Sequence, residues 1–372
     1  MPSKKRIDIG AVIVICLSLL AIIFLFNTIS VLRLSSSYNT KMEIAKEEAR
    51  PSNFEIIEIN PPECINCFDI SKIINSFKEG NVNIESEKIL DFNDAKELIQ
   101  KYDIKKLPTF LLKGEINRTE FDANYLVNDD VVIFNSVKAP YFDVEHSKKV
   151  GLVDSTIILS DNCEDCYDAT SIVKQLKALG IAINKEDIIK NSEASSLINK
   201  YNLNKLPVLM LSNEFGYYEQ AQTLWDKLNG EITSDGVYLL RDSLPPFEDL
   251  KTKNIIGRVK LQFLVDSTCK ECYNVLVHKN ILANFGIKPV TEETLELSSK
   301  EGQNLKTKYK ITKIPTIIIS DDAGVYPNFD DIFTQVGTKE DNVYVFRSTE
   351  LMGVYKDLDK NEVIKPKTQT KE

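Results

Sequence analysis

The chain has 372 residues, 43% hydrophobic and 27% charged, which suits two to four globular domains rather than a disordered polymer. A net charge of −9 and a pI near 5.1 leave no basic stripe to displace counterions from phosphates, so nucleic-acid binding is not expected. There are only two histidines, His146 and His278, which removes most His-based catalysis and most His-rich metal sites.

Residues 1–8 carry Lys4, Lys5 and Arg6 and read as a short cytoplasmic tail. Residues 9–32 are apolar apart from a few small polar residues such as Ser18, Asn27 and Thr28, long enough for a helix to cross roughly 30 Å of hydrocarbon. The positive-inside bias then puts everything after Arg33 beyond a cell membrane, as single-pass extracytoplasmic domains. A cleaved signal peptide would have a shorter apolar run ending at small residues, so an uncleaved anchor is expected. Outside the cytoplasm disulfides persist. Cys16, inside the apolar run, reads as a small hydrophobe. Residues 33–52 read as a polar stalk, in which Lys41 to Arg50 can extend as a short helix.

A pattern then occurs three times. Phe54 to Ile59 reads as a strand, and Ile70, Ile73, Ile74 and Phe77 fall at i, i+3, i+4 and i+7 of a helix. Val82 to Ile89 is a second strand and Asp94 to Tyr102 a second helix. Pro108 opens a strand from Thr109 to Leu112, and Val131 to Phe134 is the last. In the second copy Thr156 to Leu159 is the strand, and Ala169, Ile172, Val173 and Leu176 repeat the helix face. Lys101-Tyr102 through Pro108 matches Lys200-Tyr201 through Pro207 and Lys308-Tyr309 through Pro315. Tyr102, Tyr201 and Tyr309 read as core packing. The third copy puts His278 and Lys279 where the others carry Ile or Val, so its helix face is expected to shift. A polar helical stretch, Tyr217 to Leu228, falls between the last two strands of the second copy. The expected units are 53–148, 149–255 and 256–364, followed by a disordered tail at 365–372. Prolines before aromatics at Pro140 and Pro246 mark short extended joints between units packed on each other.

Each copy carries Cys-x-x-Cys at one distance from its proline. The pairs are Cys64/Cys67, Cys163/Cys166 and Cys269/Cys272; first cysteine to proline is 108−64 = 44, 207−163 = 44 and 315−269 = 46. One such pair is a weak signal, but three locked to a proline define one folded unit repeated. A cysteine at a helix N-terminus faces unpaired N–H groups, which favour the nucleophilic thiolate. Cys64, Cys163 and Cys269 would attack, and Cys67, Cys166 and Cys272, one turn on, would resolve the mixed disulfide. Lacking an N–H, the prolines leave neighbouring backbone groups free to pair with an extended substrate. Glu164 and Asp165 oppose thiolate formation at Cys163, while Lys270 favours it at Cys269, so Cys163 is expected to attack slowest. Phe68, Tyr167 and Tyr273 follow the second cysteines and either cover the sheet or shield the dithiol.

Strand, Cys-x-x-Cys opening a helix, strand, helix, then Ile/Leu-Pro opening a strand: this order resembles the thioredoxin fold, in three tandem copies over about residues 54–350. The resemblance implies an α/β class with a central mixed sheet flanked by helices, and cis peptide bonds before Pro108, Pro207 and Pro315 with each proline loop against its dithiol. It implies thiol–disulfide exchange with protein thiols or disulfides or a redox partner, with no cofactor beyond the cysteines. The chain departs from the family: no Trp precedes the first cysteines, no His lies within the pairs, and the closing helix is not evident. Two other readings remain. One is a non-catalytic binding or scaffold module stapled by disulfides. The other is metal handling through paired dithiols, against which each pair supplies only two thiolates where structural zinc takes four ligands.

Overall fold

The computed structural model describes residues 9–366 except Ile65 and Ser243, without the side chains of residues 9–13, 15, 16 and 36. The readings of the 1–8 tail, the Cys16 side chain and residues 367–372 lie outside the described residues.

The first element is longer than the short helix expected at Lys41 to Arg50. Helix α1 (Ile9–Ala49) runs unbroken through the segment expected to be a polar spacer. Nothing in it stops a helix: no Pro or Gly follows Gly10, and the hydroxyls of Ser18, Thr28 and Ser30 donate to carbonyls four residues back. Pro51 ends it, since a proline disfavours helical geometry in the residue before it. This helix is long and apolar enough to cross a membrane, a test that a signal sequence also passes. Its end is clamped. Arg50 makes two bonds to Glu115 (2.6 and 2.5 Å), whose carboxylate also accepts the Asn53 amide at 2.9 Å. Arg118 donates to Glu47 and to the Glu47 carbonyl at the helix C-terminus. The Arg50 bonds hold the Glu115 carboxyl down at about 2.

Three similar sheets follow. The first copy comprises β1 (Ser52–Asn60), α2 (Ser71–Lys78), β2 (Val82–Asp91), α3 (Lys96–Lys101), β3 (Lys106–Leu107), β4 (Thr109–Gly114), β5 (Tyr125–Val127), β6 (Val132–Phe134) and β7 (Tyr141–Asp143). β8 (Lys148–Val150) follows, and the second copy has β9 (Val153–Leu159), α4 (Thr170–Ala178), β10 (Ile183–Lys190), α5 (Ser195–Lys200), β11 (Lys205–Leu206), β12 (Val208–Leu211), α6 (Ala221–Lys227), β13 (Glu231–Ile232), β14 (Tyr238–Leu240), β15 (Phe247–Asp249) and β16 (Ile255–Ile256). The third has β17 (Lys260–Val265), α7 (Val277–Ala283), β18 (Thr291–Glu296), α8 (Lys300–Lys308), β19 (Lys313–Ile314), β20 (Thr316–Ser320), α9 (Phe329–Phe333), β21 (Gly337–Glu340), β22 (Val343–Phe346), β23 (Tyr355–Asp357) and β24 (Glu362–Ile364).

The five-stranded orders are β2-β1-β4-β6-β5, β10-β9-β12-β14-β13 and β18-β17-β20-β22-β21. In each, the strand second in the order (β1, β9 or β17) runs parallel to the strand after the first helix and antiparallel to the proline-led strand at the centre. Adjacent residues of this second strand face opposite sides of the sheet, so each needs its own apolar layer. Ile157 packs with α4 and Trp225, while Ile158 packs with Leu206 and the α5 side; Phe263 and Leu264 divide the third sheet in the same way. The Leu107–Pro108, Leu206–Pro207 and Ile314–Pro315 peptide bonds are cis, as are Ala139–Pro140 and Pro245–Pro246. The first sheet belongs to one compact unit, which extends to Val137 and takes in Tyr141–Ser147; the second and third sheets share another.

The helix expected at Tyr217 to Leu228 is α6; it precedes an additional strand, β13, rather than separating the last two strands, and the same arrangement recurs as α9 before β21. The third helix has not shifted. Val275, His278 and Leu282 are buried where Ala169, Ile172 and Leu176 are buried in the second copy, so the face is kept and one residue on it has become a histidine.

Candidate functional site

Each dithiol follows the C-terminal end of β1, β9 or β17. All three pairs are disulfide-bonded, with Cα–Cα separations of 5.4, 5.4 and 5.5 Å. A tight turn brings them together, as the Cys67 and Cys272 amides reach the Cys64 and Cys269 carbonyls at 3.4 Å.

The cysteines do not open the helices, contrary to the expectation from the sequence. The helices begin at Ser71, Thr170 and Val277, which is 71−64 = 7, 170−163 = 7 and 277−269 = 8 residues after the first cysteines. An irregular stretch intervenes because Asp69, Asp168 and Asn274 form Asx turns, accepting the amides of Ser71, Thr170 and Leu276 at 3.0 Å. Those side chains, not the sulfurs, sit just ahead of the helices. The helix dipole therefore lends little to the thiols, because its field fades within the first turn.

In the third copy the proline loop lies against the dithiol. Cys272 Sγ is 4.0 Å from the carbonyl oxygen of Ile314, the residue before Pro315. Tyr273 ties the two together, its hydroxyl donating to the Pro315 carbonyl at 2.7 Å and meeting His278 Nε2 at 3.0 Å. Burial pushes the Tyr273 phenol up and the His278 imidazole down to about 4. In the first copy Phe68 stacks on Phe134 of β6 and so covers the sheet. Tyr167 donates its amide to the Pro246 carbonyl, and Tyr273 donates its amide to Val354, at 2.8 Å each.

The second dithiol is set differently. Cys163 is 6% exposed, whereas the other five cysteines are half-buried. Arg258, from the start of the third copy, pairs with Asp165 inside the Cys163–Cys166 turn (Nε–Oδ1 3.0 Å). One of the two negative charges counted against Cys163 is thus paired, and burial adds a second barrier to its attack.

Two positions beside the dithiols escaped the sequence reading. One lies three residues before the first cysteine: Pro61, Ser160 and Asp266. The other faces the residue before the cis-proline across the small sheet: Phe142 opposite Leu107, Glu248 opposite Leu206, and Lys356 opposite Ile314. In the third copy these make an ion pair, Lys356 Nζ to Asp266 Oδ2 at 2.7 Å. Burial pushes the Asp266 carboxyl up, but Lys356 and Thr268 together outweigh it and hold it below the usual range. In the second copy Glu248 is fully buried, with Oε1 3.5 Å from Asn162 Nδ2 and Oε2 unpartnered among the described residues. Only the spacing relative to the cysteines and prolines could have flagged these positions.

The strand order, the paired cysteines after β1, β9 and β17 and the proline-led neighbouring strand define a tandem of three thioredoxin-like units. No protein-family model and no curated protein matches the chain. Among solved structures it is similar to ERdj5 in crystal form II (13% identity, TM-score 0.14, 75% of this chain and 39% of that one). It is also similar to the alkylhydroperoxide reductase AhpF of Enterococcus faecalis (20%, 0.16, 45% and 81%) and to human ERp44 form II (12%, 0.14, 78% and 84%). The chain therefore spans well under half the length of ERdj5. At such TM-scores these likenesses carry no argument, and the fold rests on the topology described above.

Proposed function

We propose that the chain is a membrane-anchored thiol–disulfide oxidoreductase acting outside the cytoplasm on protein thiols or disulfides, or on a redox partner. The carrying observation is that all three units hold a cysteine pair at disulfide distance at the same place, after β1, β9 and β17. In the reductive direction the thiolate of Cys64, Cys163 or Cys269 attacks a substrate disulfide, forming a mixed disulfide and expelling one substrate thiolate. Cys67, Cys166 or Cys272 then displaces the second, leaving substrate reduced and dithiol oxidised. In this reading Pro108, Pro207 and Pro315 shape the loop that receives an extended substrate. Among the described residues no three His, Cys, Asp or Glu side chains converge as a metal site, so the paired-dithiol metal reading gains no support.

A second reading, a scaffold stapled by structural disulfides, is favoured by the distance between dithiols and helix N-termini. Insulin reduction by residues 53–365, with Cys64, Cys163 and Cys269 changed to Ser singly and together, separates the two. Activity that falls with each lost cysteine supports exchange. Inactivity, with disulfides surviving glutathione (potentials below about −300 mV), supports staples.

A further inference from the structure

Two positions beside each dithiol differ in chemistry among the three units: the residue after the second cysteine, and the one six places after it. They are Phe68 and Ile73 in the first unit, Tyr167 and Ile172 in the second, and Tyr273 and His278 in the third (73−67 = 6, 172−166 = 6, 278−272 = 6). Only the third unit places a hydroxyl and an imidazole at this pair of positions.

The Tyr273 hydroxyl has one proton, and a carbonyl oxygen can only accept. That proton therefore goes to Pro315, 2.7 Å away, and the 3.0 Å contact with His278 runs from its Nε2–H to the phenol oxygen. The result is a chain from imidazole N–H to phenol O–H to backbone carbonyl, in which each bond polarises the next. Burial keeps both side chains in the neutral forms this chain requires, raising the phenol and lowering the imidazole. His278 is itself fixed in the core, against the Phe346 ring at 4.6 Å and beside an apolar cavity of about 190 Å³ lined by Leu282, Phe329 and Phe333 among others. The core thus anchors the histidine, the histidine the tyrosine, and the tyrosine the Pro315 loop. That loop presents the Ile314 carbonyl oxygen to Cys272 Sγ at 4.0 Å. In the disulfide the sulfur bears no proton to donate. On reduction a Cys272 thiol finds an acceptor already in place, whereas a thiolate there would face carbonyl lone pairs.

We propose that Tyr273 and His278 are a positioning couple for the third dithiol: by fixing the Pro315 loop they keep the Ile314 carbonyl on Cys272, which makes this disulfide easier to reduce and directs attack to Cys269. The use of the couple in catalysis rests on the exchange reading above. Its effect on the disulfide does not, because the equilibrium with a thiol exists whatever the chain does with it.

Equilibration of the intact protein with mixtures of reduced and oxidised glutathione tests it. Two glutathione thiols become one glutathione disulfide as each protein disulfide becomes two thiols, and alkylation with mass spectrometry then reads the three pairs separately. Tyr273→Phe and His278→Ile install residues that the matched positions already carry, with circular dichroism as the check on folding. Tyr273→Phe should lower the equilibrium constant for reducing Cys269–Cys272 about 3–5-fold, the effect of one modest hydrogen bond, and leave Cys64–Cys67 and Cys163–Cys166 where they were. His278→Ile should shift it the same way by less, and it carries the test alone if Tyr273→Phe does not fold. The double variant should match Tyr273→Phe, because His278 reaches the loop through the phenol. In the reduced protein at pH 7 iodoacetamide should label Cys269 ahead of Cys272, and Tyr273→Phe should narrow that ratio. An unmoved constant, a shift shared by all three pairs, additive effects in the double variant, or Cys272 labelled first overturns the proposal. Inactivity on insulin with the shift intact would sink the exchange reading and leave the couple standing; activity with no shift would do the reverse.

Discussion

Lowering the pH from 7 to 4 drives a proton toward His278, and the structure sets the size of the effect. The imidazole is 3% exposed. The groups facing it are the Tyr273 hydroxyl, the Phe346 ring at 4.6 Å and the apolar cavity wall, and none of them gains or loses a proton in this range. Burial lowers its pKa from 6.5 to about 4. Between those values the unfolded chain binds a proton that the fold refuses. Stability is therefore whole above about pH 6.5, declines as pH falls, and levels off below about 4. The difference of 6.5 − 4 = 2.5 units, at about 1.4 kcal/mol each, comes to roughly 3 kcal/mol. Carboxylates elsewhere titrate over part of this range, so the comparison must be with His278→Ile, a residue the second unit already carries at Ile172. Urea unfolding of both proteins at pH 7, 5.5 and 4 should show the unsubstituted chain losing about 3 kcal/mol more than the variant. With two histidines in the chain, the imidazole C2–H resonances report the titration directly. Parallel pH profiles, or a His278 resonance titrating near 6.5, would refute the reasoning.

Arg258→Glu should remove the cation from Asp165, add negative charge beside the departing thiolate and slow reduction of Cys163–Cys166 by dithiothreitol several-fold, with Cys64–Cys67 unchanged; equal rates for both proteins would mean that Arg258 does not set the charge at this dithiol. Glu115 is depressed to about 2, so its contribution is present above the ordinary carboxylate range and is lost as pH falls through about 2. Exchange protection of the Asn53 amide should accordingly persist at pH 4, fade near 2, and be weakened at neutral pH by Glu115→Gln. Glu248→Leu should stabilise the second sheet by about 1–3 kcal/mol in urea titration, because it removes a buried carboxyl with an oxygen unpartnered among the described residues; a loss of stability would mean that the Asn162 contact matters more.

The repeat, the mixed sheets and the positions of the cysteine pairs were legible because they are local or periodic. Strand alternation and helix faces have fixed periods, and the cysteine-to-proline spacing recurs with a drift of two residues. The extent of α1 was missed because polarity marked a stalk, while Ser35 to Ala49 contains nothing that breaks a helix before Pro51. The start of the helices was misplaced because the cysteines draw attention, whereas Asp69, Asp168 and Asn274, a few residues on, hold the Asx turns. Arg258 beside Asp165 and Lys356 beside Asp266 are separated by 258−165 = 93 and 356−266 = 90 residues, and no sequence period reports such pairs.

Three sites that share one geometry differ in what stands beside them. At the two matched positions the first unit has Pro61 and Phe142, the second Ser160 and Glu248, and the third Asp266 and Lys356. The neighbours are in turn apolar, singly acidic and ion-paired, so the three dithiols need not share one redox poise. The third is the most open to test. Asp266 directly follows β17, its backbone carbonyl accepts the Cys269 amide at 3.0 Å, and its side chain and that of Lys356 are 11% and 19% exposed. Such a pair lies between an exposed bridge, worth under about 1 kcal/mol, and a buried one, whose breaking costs about 3–5. Lys356→Met should therefore destabilise the third unit by about 2 kcal/mol at pH 7. The pair holds the Asp266 carboxyl below its usual range, so the stabilisation exists above that range and is lost as pH falls below it. Urea unfolding at pH 7 and again at pH 3 should show the penalty shrinking. A penalty equal at both pH values would assign it to the packing of the Lys356 stem, and no penalty at pH 7 would mean the pair is worth no more than a surface contact.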